Sequence, residues 1–378
     1  MNGTFYIFFS TILFFSSCTQ EKSITDPLEF VLASDNPNIR RVMDSVDQYE
    51  MQIRYTKIDR NDDRVSFTDY DFQVDSENYF YPASTVKFPT AVLALEKLNQ
   101  VDTLDMNTRF YVEGDSVETT FAKAISEIFA VSDNDANNRL VEFLGQDAIN
   151  EGLRKKGIAP VRISHRLGYH SDDLATKPLI VYQNDSTTAI LEGSVNTSPE
   201  PLDLNSIQKG MGYYEDEALV NEFFDFSLKN HYPIVAQHGL LKRVIFPENF
   251  NENERFSISD KQREYLLAAM YTLPKAVGYD PADYYDSYCK FFMFGDTKED
   301  IPENIKIYNK VGFAYGTLTD CAYITDTKND VEFLLTATIL VNKNGIFNDD
   351  TYEYDAVGIP FLAELGRQLY AYELGRKK

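Results

Sequence analysis

Ser84 and Lys87 form a Ser-x-x-Lys pair, a spacing that brings a hydroxyl and an amine to the same face of a helix. An ordinary serine is a poor nucleophile and needs a base beside it. A lysine that is desolvated and close to another cation has a lowered pKa and can take the hydroxyl proton. The pair therefore predicts nucleophilic catalysis by Ser84. The alternative is a helix cap followed by a solvated lysine.

Context is needed to choose this copy of the motif, because Ser206 to Lys209 and Ser287 to Lys290 have the same spacing. Residues 85–98 carry apolar side chains almost all round, which is typical of a buried helix. The N-terminus of a helix also offers free amides to an anion that forms there. Ser206 lies in a polar stretch and Ser287 in a tyrosine-rich one, so we expect the nucleophile to open the buried helix.

Two further motifs have residue types that would complete such a site. Ser132-Asp133-Asn134 lies between two predicted helices, and Lys310-Val311-Gly312 lies at the end of a predicted strand. Second copies occur at 34–36, before the predicted fold, and at 343–345, in a predicted turn. We therefore expect 132–134 and 310–312 to face the same cleft as Ser84. The alternatives are helix-capping residues and a charge at a strand edge.

The elements that must position these motifs follow from hydrophobic periodicity. Alternating side chains at 51–58 and 64–73 predict a β-hairpin, and strand patterns return near the C-terminus. The middle of the chain has mostly helical periodicity. The predicted helices are 85–98, 119–130, 135–144, 203–209, 216–229, 260–271 and 355–374, and the later strands are 288–294, 304–310, 317–325 and 331–341.

Strands at both chain ends around a helical middle predict an α+β fold of two lobes. We expect one antiparallel sheet flanked by helices, with an all-helical lobe inserted between its halves. The expected boundaries are a single domain at 39–375, with a sheet lobe at about 39–80 and 280–375 and a helical lobe at about 81–279. Ligands usually bind in the cleft between such lobes.

The three motifs, in this order and with their flanks, resemble the class A β-lactamases and the related penicillin-binding proteins. The resemblance implies a β-lactamase/transpeptidase-like fold over roughly residues 40–375. The segments that carry it are YPASTVK (81–87), VSDNDANNRLVEFLG (131–145), NTSP (196–199) and KVGFAYGTLTDCAYI (310–324).

The resemblance implies a role for each matching residue. Ser84 would be the nucleophile that forms an acyl-enzyme, Lys87 its base, and Ser132 the proton relay to the leaving nitrogen. The substrate would be held by the side-chain amide of Asn134, the ammonium of Lys310, and the backbone at Gly312 and Phe313. The amides of Ser84 and Phe313 would form the oxyanion hole.

Three departures from the family pattern affect the expected chemistry. Val311 replaces the hydroxyl residue of Lys-Thr-Gly and removes one hydrogen bond to a substrate carboxylate. Pro89 lacks an N–H and should loosen the first turn of the Ser84 helix. If NTSP follows the omega loop, that loop is 160–195 and holds no Glu-x-x-Leu-Asn to activate the deacylating water. The remaining candidates for that base are Asp172, Asp173, Asp185, Glu192 and, with a shifted spacing, Glu200.

The N-terminus has the pattern of an export signal. Residues 5–15 are apolar and end at Ser16-Ser17-Cys18, and this run is shorter than the roughly 20 residues of a membrane span. The pattern predicts a signal peptide over 1–18, a lipid anchor on Cys18 that contacts the membrane, and a linker over 19–38. We expect the bacterial cell envelope, in the periplasm or at the outer membrane. The alternatives are plain secretion and an uncleaved anchor.

Composition limits the partners. With 36 Lys and Arg against 59 Asp and Glu, the net charge of −23 repels phosphate backbones, so no nucleic acid is expected to bind. After processing, Cys289 and Cys321 allow one disulfide at most, and we expect buried thiols. The histidines lack the spacing of zinc ligands, so no metal and no cofactor is expected; they are residues 165, 170, 231 and 238.

Two kinds of function remain open. The first is an envelope serine hydrolase that acts through a Ser84 acyl-enzyme, with a small-molecule β-lactam or a peptidoglycan D-alanyl peptide as substrate. Its turnover would be fast, as in a lactamase, or slow, as in a penicillin-binding protein. The alternative is a non-catalytic envelope protein that retains the fold and binds peptidoglycan or a partner. The intact Ser84, Lys87, Ser132 and Lys310 favour the hydrolase.

Overall fold

A computed structural model of the protein describes residues 26–61, 64–168 and 172–376. The predicted signal peptide, with Cys18, lies outside the described residues, and so does His170. None of the helices in these ranges combines the length and the apolarity needed to cross a bilayer. The helices are α1 (Pro27–Leu32), α2 (Pro37–Met43), α3 (Lys87–Leu98), α4 (Phe121–Ala130), α5 (Asn134–Leu144), α6 (Gln146–Lys155), α7 (Ile234–Ile245), α8 (Asp260–Tyr271), α9 (Phe291–Phe294) and α10 (Ile359–Arg376).

The strands of the described chain are β1 (Gln52–Asn61), β2 (Arg64–Phe72), β3 (Arg109–Val112), β4 (Thr119–Thr120), β5 (Leu179–Asn184), β6 (Thr187–Leu191), β7 (Gln208–Lys209), β8 (Gly212–Glu215), β9 (Ala218–Val220), β10 (Phe224–Asp225), β11 (Ile305–Ala314), β12 (Thr317–Asp326), β13 (Val331–Leu340) and β14 (Ile346–Phe347). Five of them form the main sheet, which is antiparallel with the order β11-β12-β13-β1-β2. Because β1 pairs with β13, both chain ends meet in one sheet, and the predicted α+β architecture is confirmed.

Hydrophobic cores lie on both faces of this sheet. On one face α1, α2 and α10 pack against side chains such as Leu335 and Ile339. On the other face the helices of the inserted lobe form a core that includes Leu334 of β13. The prediction of a linker over 19–38 is wrong for 27–32, because these residues form α1 and bury Leu28 against the first face.

The inserted lobe is not all-helical as predicted. Its helices α4, α5 and α8 match the predicted ones closely, but 203–209 and 216–229 contain strands instead. The rings of Phe224 and Phe226 pack against each other at 4.7 Å, within a buried aromatic cluster that also holds Phe347. Burial of these rings in short strands overrides the weak helical periodicity of the two segments.

Residues 288–294, predicted as a strand, instead form a turn that leads into α9. The backbone amides of Phe291 and Phe292 donate to the buried carboxylate of Asp320, at 3.2 and 3.4 Å. A side chain of β12 thus supplies the acceptor that a neighbouring strand would otherwise offer. Apolar alternation in this segment could not reveal that partner.

His238 of α7 is buried against the main sheet and hydrogen-bonded on both ring nitrogens. Its Nε2 lies 2.6 Å from Thr56 Oγ1, and its Nδ1 lies 2.8 Å from Thr336 Oγ1. Thr56 donates its own hydroxyl hydrogen to Asp69, so Nε2 must be the nitrogen that donates to Thr56. Burial lowers the pKa of His238 well below 6.5, which favours the neutral ring.

We expect the free energy of unfolding to fall as the pH drops below about 6.5, because the unfolded chain then binds a proton that folded His238 rejects. One such group contributes up to about 1.4 kcal/mol per pH unit. His238→Gln, whose amide can still donate to Thr56, should show a smaller loss of stability between pH 7 and pH 5. Denaturant titrations at the two pH values measure this loss. Identical losses in the two proteins would contradict the assignment.

Candidate active site

Ser84 lies in a 3₁₀ turn, Ala83–Val86, directly before α3. The amide of Lys87 donates to the carbonyl of Ser84, and the α-helix begins only at Lys87. Pro89 occupies the first turn of α3, where an N–H would have no helical partner. Pro89 therefore removes no hydrogen bond from α3, and the predicted loosening of the helix by Pro89 is not seen; the turn that holds Ser84 is a 3₁₀ turn before the helix. Ser84 stays partly exposed between buried neighbours.

The amine of Lys87 is buried and reaches the turn between α4 and α5. It donates to the carbonyl oxygen of Ser132 and, at 2.7 Å, to Oδ1 of Asn134. It also lies 3.3 Å from Ser132 Oγ. The structure therefore brings the Ser-x-x-Lys and Ser-Asp-Asn motifs into direct contact.

Lys310 approaches the same hydroxyl from the edge strand β11. Its Nζ lies 2.7 Å from Ser132 Oγ and 2.8 Å from the carbonyl oxygen of Val311. Its side chain is buried, so Ser132 Oγ bridges two amines that have little contact with water. Val311 itself lies in the core of the sheet lobe and offers no hydroxyl to a substrate.

Burial shifts both amines toward the neutral form. Burial, followed by the charge of Lys310, holds the pKa of Lys87 well below 10.5. Burial lowers the pKa of Lys310 to about 8. The depressed pKa of Lys87 favours its neutral form, which can accept a proton.

The hydrogen bonds are consistent with these protonation states. A neutral amine has two N–H donors, which Lys87 spends on the carbonyl oxygens of Ser132 and Asn134. Its lone pair is left to accept a hydroxyl proton. Lys310 also donates to Ser132 Oγ, so both amines contact the same hydroxyl oxygen. The two amines thus lie on either side of one hydroxyl.

The three residues of the Ser-Asp-Asn motif have separate tasks. Ser132 has a φ of 59°, a left-handed conformation that costs a non-glycine residue about 1 kcal/mol or more. Asp133 is the N-cap of α5 and accepts from the amide of Ala136 at 2.7 Å. The alternative of a helix-capping residue thus holds for Asp133, whereas Ser132 contacts both Lys87 and Lys310, and Asn134 contacts Lys87.

Gly312 lies against the backbone of the Ser84 turn. A Cβ at this position would lie 2.8 Å from the carbonyl oxygen of Pro82 and 2.9 Å from the amide nitrogen of Ser84. Only glycine leaves room for this approach. The contact brings the next residue of β11, Phe313, beside the Ser84 turn, with its ring half exposed.

The competing copies of the motifs lie elsewhere. Lys209 pairs with Glu50, and the hydroxyl of Ser287 donates to the carbonyl of Thr297. In the N-terminal copy at 34–36, Asn36 caps α2, and the copy at 343–345 is an exposed turn before β14. The choice of 84–87, 132–134 and 310–312 agrees with the contacts.

The segment predicted as the omega loop, 160–195, contains the β5–β6 hairpin and is irregular before it. Its irregular part is held by the buried ion pair of Arg166 and Glu142, with Nε and Oε1 2.6 Å apart. Asn138 of α5 clamps the loop by accepting from the amide of Leu167 and donating to its carbonyl, at 3.1 and 2.7 Å. Asn138 belongs to none of the sequence motifs, and its role in holding the loop was therefore not predicted, although it lies one helical turn after Asn134.

Gly168 places this loop beside the site, because a Cβ on it would lie 3.9 Å from Asn134 Nδ2. The carboxylates proposed from the sequence are all exposed, and none of them hydrogen-bonds Lys87, Ser132, Asn134 or Lys310 within the described ranges. These carboxylates are Asp172, Asp173, Asp185, Glu192 and Glu200. Asp185 lies in the β5–β6 turn and forms an ion pair with Arg109 of β3.

Cys289 and Cys321 are both free and buried. Among the residues that the structure describes, no group of three or more His, Cys, Asp or Glu side chains could hold a metal ion. His231 is buried and His165 is partly buried, and burial lowers the pKa of each to about 4. They join the irregular loop to residues near 230 through hydrogen bonds.

Comparisons with known proteins agree with this architecture. A sequence model described as the β-lactamase enzyme family matches residues 37–192, which include Ser84, Lys87, Ser132 and Asn134. No curated protein sequence matches the chain significantly.

Solved structures share the fold. A class A β-lactamase from Bacteroides cellulosilyticus DSM 14838 is 12% identical, covers 91% of this chain and 96% of its own, and has a TM-score of 0.54. A β-lactamase from Desulfarculus baarsii DSM 2075 is 15% identical, with 90% and 97% covered and a TM-score of 0.50. One from Xanthomonas campestris pv. campestris ATCC 33913 is 14% identical, with 85% and 91% covered and a TM-score of 0.50. The resemblance to β-lactamases predicted from the motifs is confirmed.

We expect Gly312→Ala to slow covalent labelling of the site by a β-lactam or a fluorophosphonate about 100-fold. The added methyl group must push β11 away from the Ser84 turn, and a displacement of about 1 Å typically costs that factor. Time courses of labelling by mass spectrometry measure the rate. Gly375→Ala is the matched control, since a Cβ there meets no atom within 4 Å. Equal labelling rates in the two variants would disprove the importance of the contact.

Proposed function

Starting from a chain that is β-lactamase-like in sequence over residues 37–192 and in fold, we propose that it is a serine hydrolase that forms an acyl-enzyme on Ser84. The observation that carries the proposal is the hydroxyl of Ser132 between two buried amines, 3.3 Å from Lys87 and 2.7 Å from Lys310. A solvated lysine and a helix cap, the simpler alternative, would leave these amines in water.

In the proposed acylation, Lys87 accepts the proton of Ser84 as the hydroxyl oxygen attacks the substrate carbonyl. The pKa of Lys87, which burial holds well below 10.5, supports this role. The C–N bond then breaks, and the leaving nitrogen takes the hydroxyl proton of Ser132. Ser132 recovers a proton from Lys87, so each proton taken from the nucleophile ends on the product.

Substrate binding follows from groups that surround the Ser84 turn. The ammonium of Lys310 is expected to attract a substrate carboxylate, and the amide of Asn134 to hold an acyl side chain. The close approach of Gly312 supports an oxyanion hole made by the backbone amides of Ser84 and Phe313. β-Lactams, for which the solved structural relatives are named, fit this set, and so do D-alanyl peptides of the cell wall.

Deacylation needs a second base, which must deprotonate a water molecule against the ester carbonyl. The candidate carboxylates of the described residues are exposed, and none of them hydrogen-bonds Lys87, Ser132, Asn134 or Lys310, which supports slow hydrolysis of the ester in this protein. We therefore propose behaviour closer to a penicillin-binding protein than to a fast lactamase. The pattern at 5–18 further supports a lipid-anchored protein of the bacterial envelope.

We expect a penicillin to give a stoichiometric burst followed by a slow steady state, because loss of a positioned base typically costs 10²–10⁴ in rate. Intact mass, followed over time, should show an adduct that persists and maps to Ser84. Ser84→Ala should abolish it, whereas Ser206→Ala and Ser287→Ala, from the other copies of the motif, should not. An adduct that vanishes within the dead time would show that another carboxylate serves as the base, and no adduct at all would favour a binding protein.

We expect Lys310→Ala to lower acylation by carboxylate-bearing β-lactams about 10–100-fold, since it removes a charge-assisted hydrogen bond of roughly 1.5–3 kcal/mol. Acylation of the wild-type protein should also decline above about pH 8, where Lys310 loses its proton. The methyl ester of the same β-lactam should show a smaller loss and a weaker decline.

Lys343→Ala is the matched control for this experiment, because Lys343 belongs to the second Lys-x-Gly and is exposed. Its acylation rates should equal those of the wild-type protein. Equal losses for the free acid and the ester in Lys310→Ala would contradict recognition of a carboxylate by Lys310.

A further inference from the structure

Lys290 and Asp320 are buried ionisable residues that the proposed mechanism does not use. Asn309 of β11 joins them: its Oδ1 accepts from Lys290 Nζ at 2.6 Å, and its Nδ2 donates to Asp320 Oδ1 at 2.8 Å. We refer to Lys290, Asn309 and Asp320 as the Lys290 network. All three side chains are at most 1% exposed.

Backbone groups also form hydrogen bonds with Lys290 and Asp320. Lys290 also donates to the carbonyl of Met270 at the end of α8, at 2.9 Å. The second oxygen of Asp320 accepts from the amides of Phe291 and Phe292. These bonds attach residues 290–292 to β11, which carries the Lys-x-Gly motif, and to its neighbour β12.

The network adjoins Lys310 on both strands. Asn309 directly precedes Lys310 in β11, and Asp320 directly precedes Cys321, which lies opposite Lys310 in the β11–β12 pair. Charges at Cys289 and Asp320 oppose the effect of burial on the pKa of Lys310, whereas Lys290 adds to it. Burial raises the pKa of the Cys289 thiol, so this group is neutral near pH 7. Asp320 is then the anion of the set.

Other ionisable groups face Lys310 from the helical lobe. Lys87 of α3 contacts the same Ser132 hydroxyl as Lys310, and the charges of Asp133 and Asp135 at the start of α5 raise the pKa of Lys87. Cys321 is opposite Lys310, and burial raises its pKa, so it too is neutral. The neighbours of Lys310 thus include one buried carboxylate on its own sheet and a second amine across the cleft.

We propose that the Lys290 network is a positioning unit for Lys310, in which the carboxylate of Asp320 keeps Lys310 an ammonium and Asn309 with Lys290 holds that carboxylate in place. The inference rests on the proposed function, in which Lys310 binds the carboxylate of the substrate. Buried pairs of charges usually contribute no more stability than apolar side chains of the same size. A purely structural link between β11 and α9 would not need them.

The test measures the ionisation of Lys310 directly. Lysine side chains labelled with ¹³C at Cε are titrated by NMR, and the signal of Lys310 is assigned as the one missing in Lys310→Arg. In Asp320→Asn we expect the pKa of Lys310 to fall by roughly one unit, as for loss of a nearby opposite charge. The alkaline limb of acylation by a carboxylate-bearing β-lactam should shift down by the same amount.

Asp326→Asn is the matched control, because it makes the same substitution elsewhere in β12. Asp326 lies opposite Ile305, five residues along each strand from the pair of Lys310 and Cys321. It should leave the pKa of Lys310 unchanged. A second measurement needs no variant: burial raises the pKa of Asp320 to about 6, so the wild-type Lys310 signal should show a small inflection near that pH.

The outcomes separate the two proposals. An unchanged Lys310 pKa in folded Asp320→Asn, or no inflection near pH 6 in the wild-type protein, would overturn the positioning role and leave the acyl-enzyme on Ser84 unaffected. If the wild-type protein forms no adduct with a β-lactam while Lys310 shifts as expected, the proposed function fails and the electrostatic link stands.

Discussion

Repulsion between two buried amines is the constraint on which the rest of this site depends. Lys87 and Lys310 both approach Ser132 Oγ in an interior where charges are poorly screened, so the arrangement is most stable when one amine is neutral. Burial and the charge of Lys310 hold down the pKa of the amine on α3, Lys87, beside the Ser84 turn. Two identical side chains thereby differ in their tendency to hold a proton.

Three separate parts of the chain must be held rigidly to maintain this contact. The left-handed backbone of Ser132 is fixed between α4 and α5, and the edge strand β11 is pressed against the Ser84 turn where Gly312 has no side chain. Cores on both faces of the sheet hold these elements, and the cost of one strained residue is small beside that packing. The strain lies at the residue that both amines contact, where a displacement would separate base from cation.

The sequence was sufficient to predict what depends on residue type and order. Lys87, Ser132 and Lys310 were chosen by context and meet in the structure, with Gly312 against the Ser84 turn, and the antiparallel sheet followed from alternating side chains. Strands in the inserted lobe were missed, because their aromatic rings are stabilised by contacts far apart in sequence. The link between Asn309 and Asp320 was also invisible, since it depends on the register of two strands and on the path of the chain before α9.

The pairing of β1 with β13 also has a consequence for how the protein matures. The Ser84 turn is synthesised early, but β11, which carries Lys310 and Gly312, belongs to about the last fifth of the chain and joins the sheet through β12 and β13. Such pairing between distant segments is slow compared with local helix formation. Until β11 is in place, Lys310 cannot reach Ser132 and Gly312 cannot press against the Ser84 turn, so the contacts of the site form late in folding.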